Sequence, residues 1–104
     1  MQIRTHPLQG SPLGTRREIV SFHYGPTDAG RKIYVQASLH ADELPGMLVA
    51  HHLRLRLAAL ETAGRLRGEI VVVPVANPIG IGQSVLLTNI GRFELGSGEN
   101  FNRH

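Results

Sequence analysis

The sequence predicts a mixed α/β fold with about three or four strands and one main helix. Residues 18–24 and 32–39 are rich in β-branched and aromatic side chains, which is typical of strands. Residues 44–66 carry apolar side chains at helical spacing, and residues 69–75 form an almost uninterrupted apolar run. With 41% hydrophobic and 18% charged residues, the composition is that of a globular domain.

The first two strands are predicted to pair with each other. Between them, the segment Gly25-Pro26-Thr27-Asp28-Ala29-Gly30 has the composition of a turn. Because this connection is short, we expect 18–24 and 32–39 to form an antiparallel hairpin. Residues 1–16 show no clean period, so they are expected to form a short strand or an arm.

The central segment is predicted to be one long helix. Asp42 suits the N-cap position, Pro45 is tolerated in a first turn, and Gly64 is a natural end. The positions that form one apolar stripe are Val49, Leu53, Leu57 and Leu60. The helix therefore separates two strands.

The apolar run after the helix predicts a buried strand. Residues 70–73 are Ile-Val-Val-Val, apolar on both faces, which is typical of a parallel strand inside a sheet. Segments 32–39, 44–66 and 69–75 thus predict a βαβ crossover. The remaining residues, 77–104, are rich in glycine and lack a period, which is typical of a functional loop.

Composition narrows the classes of function. The chain has 104 residues and no cysteine, so disulfides and thiolate chemistry are excluded, and a reducing cytoplasm is the expected compartment. No apolar run is long enough to cross a membrane. The net charge of +3 is spread along the chain and there are only 5% aromatic residues, so nucleic-acid binding is not expected.

His40 and Glu43 are the first candidate site. They lie where a predicted strand gives way to the helix, and a tight turn can bring both side chains onto one ion. An imidazole and a carboxylate suit zinc, which in catalytic sites takes three protein ligands and a water. The alternative is that His40 and Glu43 only mark the start of a helix, where the Glu43 carboxylate interacts favourably with the positive end of the helix dipole.

Polar residues near residue 104 form a second candidate site. Arg103 can hold a carboxylate through two parallel hydrogen bonds, and Asn102 can add a donor beside it. The alternative is an ordinary polar surface segment. Neither candidate site is specific when taken alone.

The combination and order of these motifs are more specific. They are Ser38-Leu39-His40-Ala41-Asp42-Glu43-Leu44-Pro45-Gly46, a helix, the strand 70–75, Asn77-Pro78-Ile79-Gly80, and then Asn102-Arg103. From about residue 30 onward, the chain resembles the zinc carboxypeptidase-like hydrolases, in particular the succinylglutamate desuccinylase/aspartoacylase family. The resemblance implies part of a carboxypeptidase-like three-layer fold.

The resemblance also implies roles for individual residues. His40 and Glu43 match the first two zinc ligands of the family, and Asn102 and Arg103 match the pair that grips the substrate carboxylate. Arg92 resembles the arginine that polarises the scissile carbonyl, although its distance in sequence from the Asn-Arg pair differs from that in aspartoacylases. The implied cofactor is Zn²⁺, and the implied substrate is a small carboxylate-bearing molecule.

The family places its third zinc ligand and its general-base glutamate well downstream of the Asn-Arg pair. His104 follows that pair too closely to be the third ligand. We therefore expect residues 1–104 to be the N-terminal part of one zinc hydrolase domain, without an internal domain boundary, and to be inactive alone.

The expected activity of the whole protein is zinc-dependent hydrolysis of an amide bond in an N-acyl amino acid or a related substrate. Two other hypotheses remain open. One is a non-catalytic binding module derived from the same fold, and the other is a module that associates with a second copy of itself. A basic nucleic-acid binder ranks last.

Overall fold

The computed structural model describes residues 1–103, which form one mixed four-stranded sheet, one long helix and an irregular C-terminal segment. The sheet has the strand order β1-β2-β4-β3. Its strands are β1 (Gln2–Pro7), β2 (Glu18–Tyr24), β3 (Lys32–Gln36) and β4 (Glu69–Val73), and the long helix is α1 (Leu44–Thr62). The predicted mixed α/β fold with one main helix is therefore confirmed.

The strand β4 lies in the middle of the sheet. It pairs in parallel with β3, which confirms the βαβ crossover, and antiparallel with β2. The predicted hairpin between β2 and β3 is wrong, because β4 is inserted between them. A strand that is apolar on both faces is stabilised most by neighbours on both edges, so β4 takes the central position.

The helix α1 covers one face of the sheet. The core is formed by Tyr24, Ala50, Leu57 and Val72, with Phe22, Ala37, Leu53, Leu66 and Ile70 packed around it. The predicted stripe is correct at Leu53 and Leu57 but wrong at Val49, whose side chain is 65% exposed. The small side chain of Ala50 faces the sheet instead, which allows the helix to approach closely.

The ends of α1 differ from the prediction by a few residues. The N-cap is Glu43 rather than Asp42, and it makes no side-chain capping bond. At the other end, Gly64 has a φ of 65° and lets the N–H of Arg65 reach the carbonyl of Leu60. This left-handed glycine stops the helix, as expected from its lack of a Cβ.

The C-terminal segment has more structure than the sequence predicts. It contains the short helix α2 (Pro78–Ile81) and the two-residue strands β5 (Ser84–Val85) and β6 (Thr88–Asn89), which pair with each other. An isolated antiparallel bridge joins Phe93 to Asn100. Short polar and glycine-containing pieces carry no periodic signal, which is why the sequence did not reveal them.

Apolar side chains remain exposed on the outer side of α1 and on the edge strand β3. The large ones are Ile33, Tyr34, Leu44, Leu48, Val49 and Leu55. Among residues 1–103, no helix is both long enough and apolar enough to cross a membrane.

Replacing Leu57 by Ala tests this core. Leu57 is 3% exposed, and we expect its loss to lower the free energy of unfolding by about 2 to 3 kcal/mol. The matched control is Leu55→Ala on the same helix, where the side chain is 60% exposed and the expected change is below about 0.5 kcal/mol. Urea unfolding followed by circular dichroism measures both. Equal effects would contradict the assignment of the buried face.

Candidate metal and substrate site

The candidate site lies just beyond the carboxyl ends of the parallel strands β3 and β4. The chain leaves β3 at Gln36 and reaches His40 within four residues, before α1 begins. Two backbone bonds continue the strand pairing into this loop: Ala37 N–H donates to Val73 O, and Ala76 N–H donates to Ala37 O. Crevices outside the carboxyl ends of parallel strands are the usual binding sites of α/β sheets.

Asn77 ties the loop after β4 to the loop that carries His40. Its side chain is buried, its amide donates to Leu39 O at 2.9 Å, and its Oδ1 accepts from Gly80 N–H at 2.8 Å. The second bond also caps α2. A buried asparagine with both ends satisfied fixes the relative position of two loops.

Gly91 brings the C-terminal segment against the same loop. Its carbonyl accepts from Ala41 N–H at 2.9 Å. A Cβ at Gly91 would clash with the backbone of Ala41 and Asp42, so this close approach requires glycine. The neighbouring Arg92 is thereby held beside the His40 loop.

Gln83 and Asn89 organise the backbone around Arg92. Gln83 is buried and donates to the carbonyls of Ile90 and Phe93, at 2.6 and 2.8 Å, while its Oε1 accepts from Leu95 N–H. The Asn89 amide lies near three carbonyls and is closest to that of Ile81, at 3.1 Å. In this segment, side-chain amides therefore bond the backbone groups that strand pairing would bond in a regular sheet.

A tight turn then leads the chain from Phe93 back to Asn100. Hydrogen bonds from the backbone N–H groups of Gly96 and Ser97 lower the pKa of the Glu94 carboxyl, so the turn is stabilised by a carboxylate. Phe101 N–H donates to Arg92 O at 3.0 Å, which closes the turn. Asn100 is thus placed opposite the His40 loop.

His40, Glu43 and Arg92 meet in one cluster. His40 Nδ1 lies 3.2 Å from Glu43 Oε1, and Arg92 Nη2 donates to the same oxygen at 2.6 Å. His40 is buried, whereas the side chains of Glu43 and Arg92 are exposed. The structure therefore brings together three residues that the sequence singled out.

Asn100 fixes the orientation of the His40 ring. Its Oδ1 accepts from the backbone N–H of Asn102 at 2.9 Å, so that atom must be the carbonyl oxygen. His40 Nε2 lies 2.7 Å from the same oxygen and must therefore carry a hydrogen. In a neutral ring, this leaves the lone pair of Nδ1 facing the carboxylate of Glu43.

Such an arrangement suits a cation. Two acceptors 3.2 Å apart repel each other unless a proton or a metal ion lies between them. The donor set, one imidazole nitrogen and one carboxylate oxygen, is a set that zinc binds. Within residues 1–103, no group of three or more potential metal-binding side chains is assembled, so the pair supplies two ligands at most.

A cleft of about 430 Å³ opens beside this pair. Its polar lining residues include Gln36, Ser38, His40, Glu43 and Asn102. Asn102 therefore lies beside the cluster. Arg103 is exposed and makes no side-chain hydrogen bond or ion pair with the described residues, and His104 lies outside them.

Ser38 is the strained residue of the cleft. It has a φ of 61°, which is uncommon for a residue with a Cβ, and its buried hydroxyl has no partner among the described residues. The left-handed conformation turns the chain from β3 toward His40. Neither Ser38 nor Asn100 was a candidate from the sequence, although Ser38 lies two residues before the candidate His40 and Asn100 two residues before the candidate Asn102.

Comparisons with known proteins identify the family. The family model described as succinylglutamate desuccinylase/aspartoacylase catalytic domain matches residues 29–104, and the chain belongs to this family. The match begins just before β3 and includes the whole His40 loop, α1 and the C-terminal segment. A search of curated protein sequences gives no match.

Solved structures resemble the chain, among them two family proteins from Shewanella. A succinylglutamate desuccinylase/aspartoacylase family protein from Shewanella amazonensis matches with 30% identity and a TM-score of 0.84, over 99% of this chain and 27% of the other. A second, from Shewanella frigidimarina, matches with 24% identity and a TM-score of 0.65, over 97% of this chain and 27% of the other. The chain therefore spans about a quarter of the length of these structures.

Gly91→Ala tests the contact that holds Arg92 at the site. The added methyl group would clash with the backbone of Ala41 and Asp42, and we expect a loss of about 1 to 3 kcal/mol of unfolding free energy. The control is Gly82→Ala, where a Cβ meets only ordinary contacts at a negative φ. Thermal unfolding and the NMR shift of the Arg92 Nε–H report stability and geometry. An unshifted Arg92 signal in Gly91→Ala would contradict this assignment.

Proposed function

We propose that the whole protein to which this chain belongs is a zinc-dependent hydrolase of an amide bond in an N-acyl amino acid or a related carboxylate-bearing substrate. The observation that carries the proposal is that His40 Nδ1 lies 3.2 Å from Glu43 Oε1 while Asn100 holds the other nitrogen of the ring. Family membership supports the reaction class.

Each residue has a distinct task in this proposal. Zinc held by His40 and Glu43 would polarise the amide carbonyl and lower the pKa of a bound water. Arg92 lies beside that pair and donates to Glu43. Once Arg92 is released from Glu43, its guanidinium would stabilise the negative charge that develops on the carbonyl oxygen of the substrate. Asn102, at the cleft, and the exposed Arg103 would hold the substrate carboxylate and so orient the amide bond.

We further propose that residues 1–104 form the N-terminal part of a larger catalytic domain and are inactive alone. The chain spans 27% of the length of its structural relatives, and the described residues assemble only two potential zinc ligands. A site with two protein ligands binds zinc weakly and leaves several positions to water. Hydrolysis also needs a general base, which neither member of the pair can be while holding a metal.

A second candidate function is self-association without catalysis. The exposed apolar side chains on the outer side of α1 and on the edge strand β3 favour it, because patches of this kind mark surfaces that other chains or segments cover. An open parallel edge can also accept another strand. Sedimentation at several concentrations separates a monomer from a self-associating module.

Zinc titration by calorimetry tests the proposed metal pair. We expect one weak site, micromolar or poorer, that disappears in both His40→Ala and Glu43→Ala, because each variant leaves a single ligand. The matched control is His51→Ala, which removes an exposed imidazole from α1 and should leave binding unchanged. Zinc binding that survives both ligand variants would refute the site.

Arg92→Ala provides a second test through charge. Arg92 donates to the Glu43 oxygen that would bind the metal, so it competes with a cation for that oxygen. Removing it should raise zinc affinity about fivefold, the equivalent of ~1 kcal/mol for an exposed ion pair. Arg56→Ala, on the exposed part of α1, is the control. Unchanged affinity in Arg92→Ala would show that metal binding does not use this oxygen.

Amine release from N-acetyl and N-succinyl amino acids tests the expected inactivity. With zinc present, this chain should release no more amine than zinc alone does. Release that is abolished by His40→Ala would contradict the proposal that these residues are inactive alone.

A further inference from the structure

A hydrogen-bonded chain of side chains crosses all four strands on the sheet face opposite α1. His6 Nε2 lies 2.8 Å from Ser21 Oγ, which lies 2.9 Å from His23 Nε2. His23 Nδ1 then lies 2.8 Å from Glu69 Oε1, and Lys32 Nζ lies 2.7 Å from Glu69 Oε2. The chain runs from an exposed imidazole on β1, through buried groups, to an exposed ammonium on β3.

The charged end sets the direction of the hydrogen bonds. Lys32, and after it His23, lowers the pKa of the Glu69 carboxyl, which therefore acts as an ionised acceptor. His23 Nδ1 must carry a hydrogen to donate to it. When His23 is neutral, its Nε2 accepts from the Ser21 hydroxyl, and Ser21 Oγ accepts from His6 Nε2–H.

The opposite direction is equally complete. If His23 carries an extra proton, its Nε2–H donates to Ser21 Oγ, and the Ser21 hydroxyl donates to His6 Nε2. When His6 carries the extra proton and His23 is neutral, one direction converts to the other as the His6 Nε2 proton passes to Ser21 Oγ and the Ser21 proton passes to His23 Nε2. The positive charge moves from His6 to His23, with no net gain of protons and no change in electrons.

Two extra protons, one on each imidazole, interrupt this series of hydrogen bonds. Both imidazoles then donate to Ser21 Oγ, which can accept twice, but the Ser21 hydrogen loses its acceptor in a residue that is 3% exposed. The other charged groups that face this chain, or line the cleft beside His23, are Arg4, Asp28, Glu61 and the ammonium of Met1. Glu61 and the Met1 ammonium form an ion pair at 2.8 Å, so their charges offset each other. The two remaining groups, Arg4 and Asp28, carry opposite charges.

We propose that His6, Ser21 and His23 form a proton-sharing clasp that closes β1 onto the sheet while at most one of the two imidazoles carries an extra proton, and that opens under acid when both do. The clasp is separate from the proposed metal site, because none of its residues lies in the loop 37–43 or the segment 90–102. It makes the attachment of β1 responsive to pH.

The same order of groups, serine, histidine and carboxylate, occurs in nucleophilic triads. Here Ser21 is buried in the middle of a strand, and both of its neighbours in the hydrogen-bonded chain are imidazoles. Such a hydroxyl is placed to pass a proton rather than to meet a substrate.

NMR of ¹⁵N-labelled imidazoles tests the clasp in the 104-residue chain. The pH range should stay above that in which Glu69 takes up a proton, so that its charge is constant. We expect the signals of His6 and His23 to change in shared steps. Relative to their intrinsic exchange rate at the same pH, the amides of β1 should exchange about tenfold faster once the second proton is bound, because a buried hydroxyl then lacks its partner.

His6→Gln and Ser21→Ala should remove the coupling. In His6→Gln, an amide that does not titrate replaces the outer imidazole, and His23 should change in a single step. In Ser21→Ala, both rings should titrate independently, and the exchange of β1 amides should lose its second step. Ser21→Thr keeps the hydroxyl and should restore the coupling, and Ser84→Ala, at an exposed serine of β5, is the control.

Independent titration of the two rings in the unaltered chain would overturn the proposal, as would coupling that persists in Ser21→Ala. Covalent labelling of Ser21 by a fluorophosphonate would also overturn it and indicate a nucleophilic serine. If Ser21→Ala does not fold, the comparison of His6→Gln with the unaltered chain decides alone, because His6 is exposed.

Discussion

The pairing of β4 on both of its edges is the constraint on which the other features of the fold depend. Its parallel register with β3 places the ends of both strands side by side, so that the loops after them meet. Its antiparallel register with β2 completes the surface against which α1 packs, with the buried Val72 at the centre. Without β4 beside β3, Asn77 would not lie next to the loop that carries His40, and its side-chain amide could not donate to Leu39 O.

The candidate site is built by backbone contacts more than by packing. The His40 loop is held from one side by Asn77 and from the other by Gly91, and both contacts end on main-chain atoms. Hydrogen bonds of this kind fix positions closely, because a buried carbonyl or N–H without a partner is costly. They also explain how an irregular segment with little apolar burial can hold Arg92 and Asn100 in place.

The sequence predicted features that depend on local composition, and it missed those that depend on distant partners. The apolar run 70–73 and the helical spacing around Leu57 are local signals, and both predictions were confirmed. The partner of β2 depends on which strand is stabilised most by a central position in the sheet, and that strand is β4. The short connection between β2 and β3 suggested β3 instead. The proposed ligand pair was singled out because its members are three residues apart and stand within a longer ordered series of motifs. Asn100, 60 residues from His40, was not.

The spacing of the site has a consequence for how metal binding and folding would be linked. His40 and Glu43 lie in a single turn, so an ion shared by them closes only a small loop and constrains the unfolded chain little. The long-range link is made by Asn100, which reaches the same ring across 60 residues. An ion on Nδ1 would strengthen the Nε2–H as a donor, and so tighten the bond to Asn100. Metal binding would therefore also act on the C-terminal segment through Asn100.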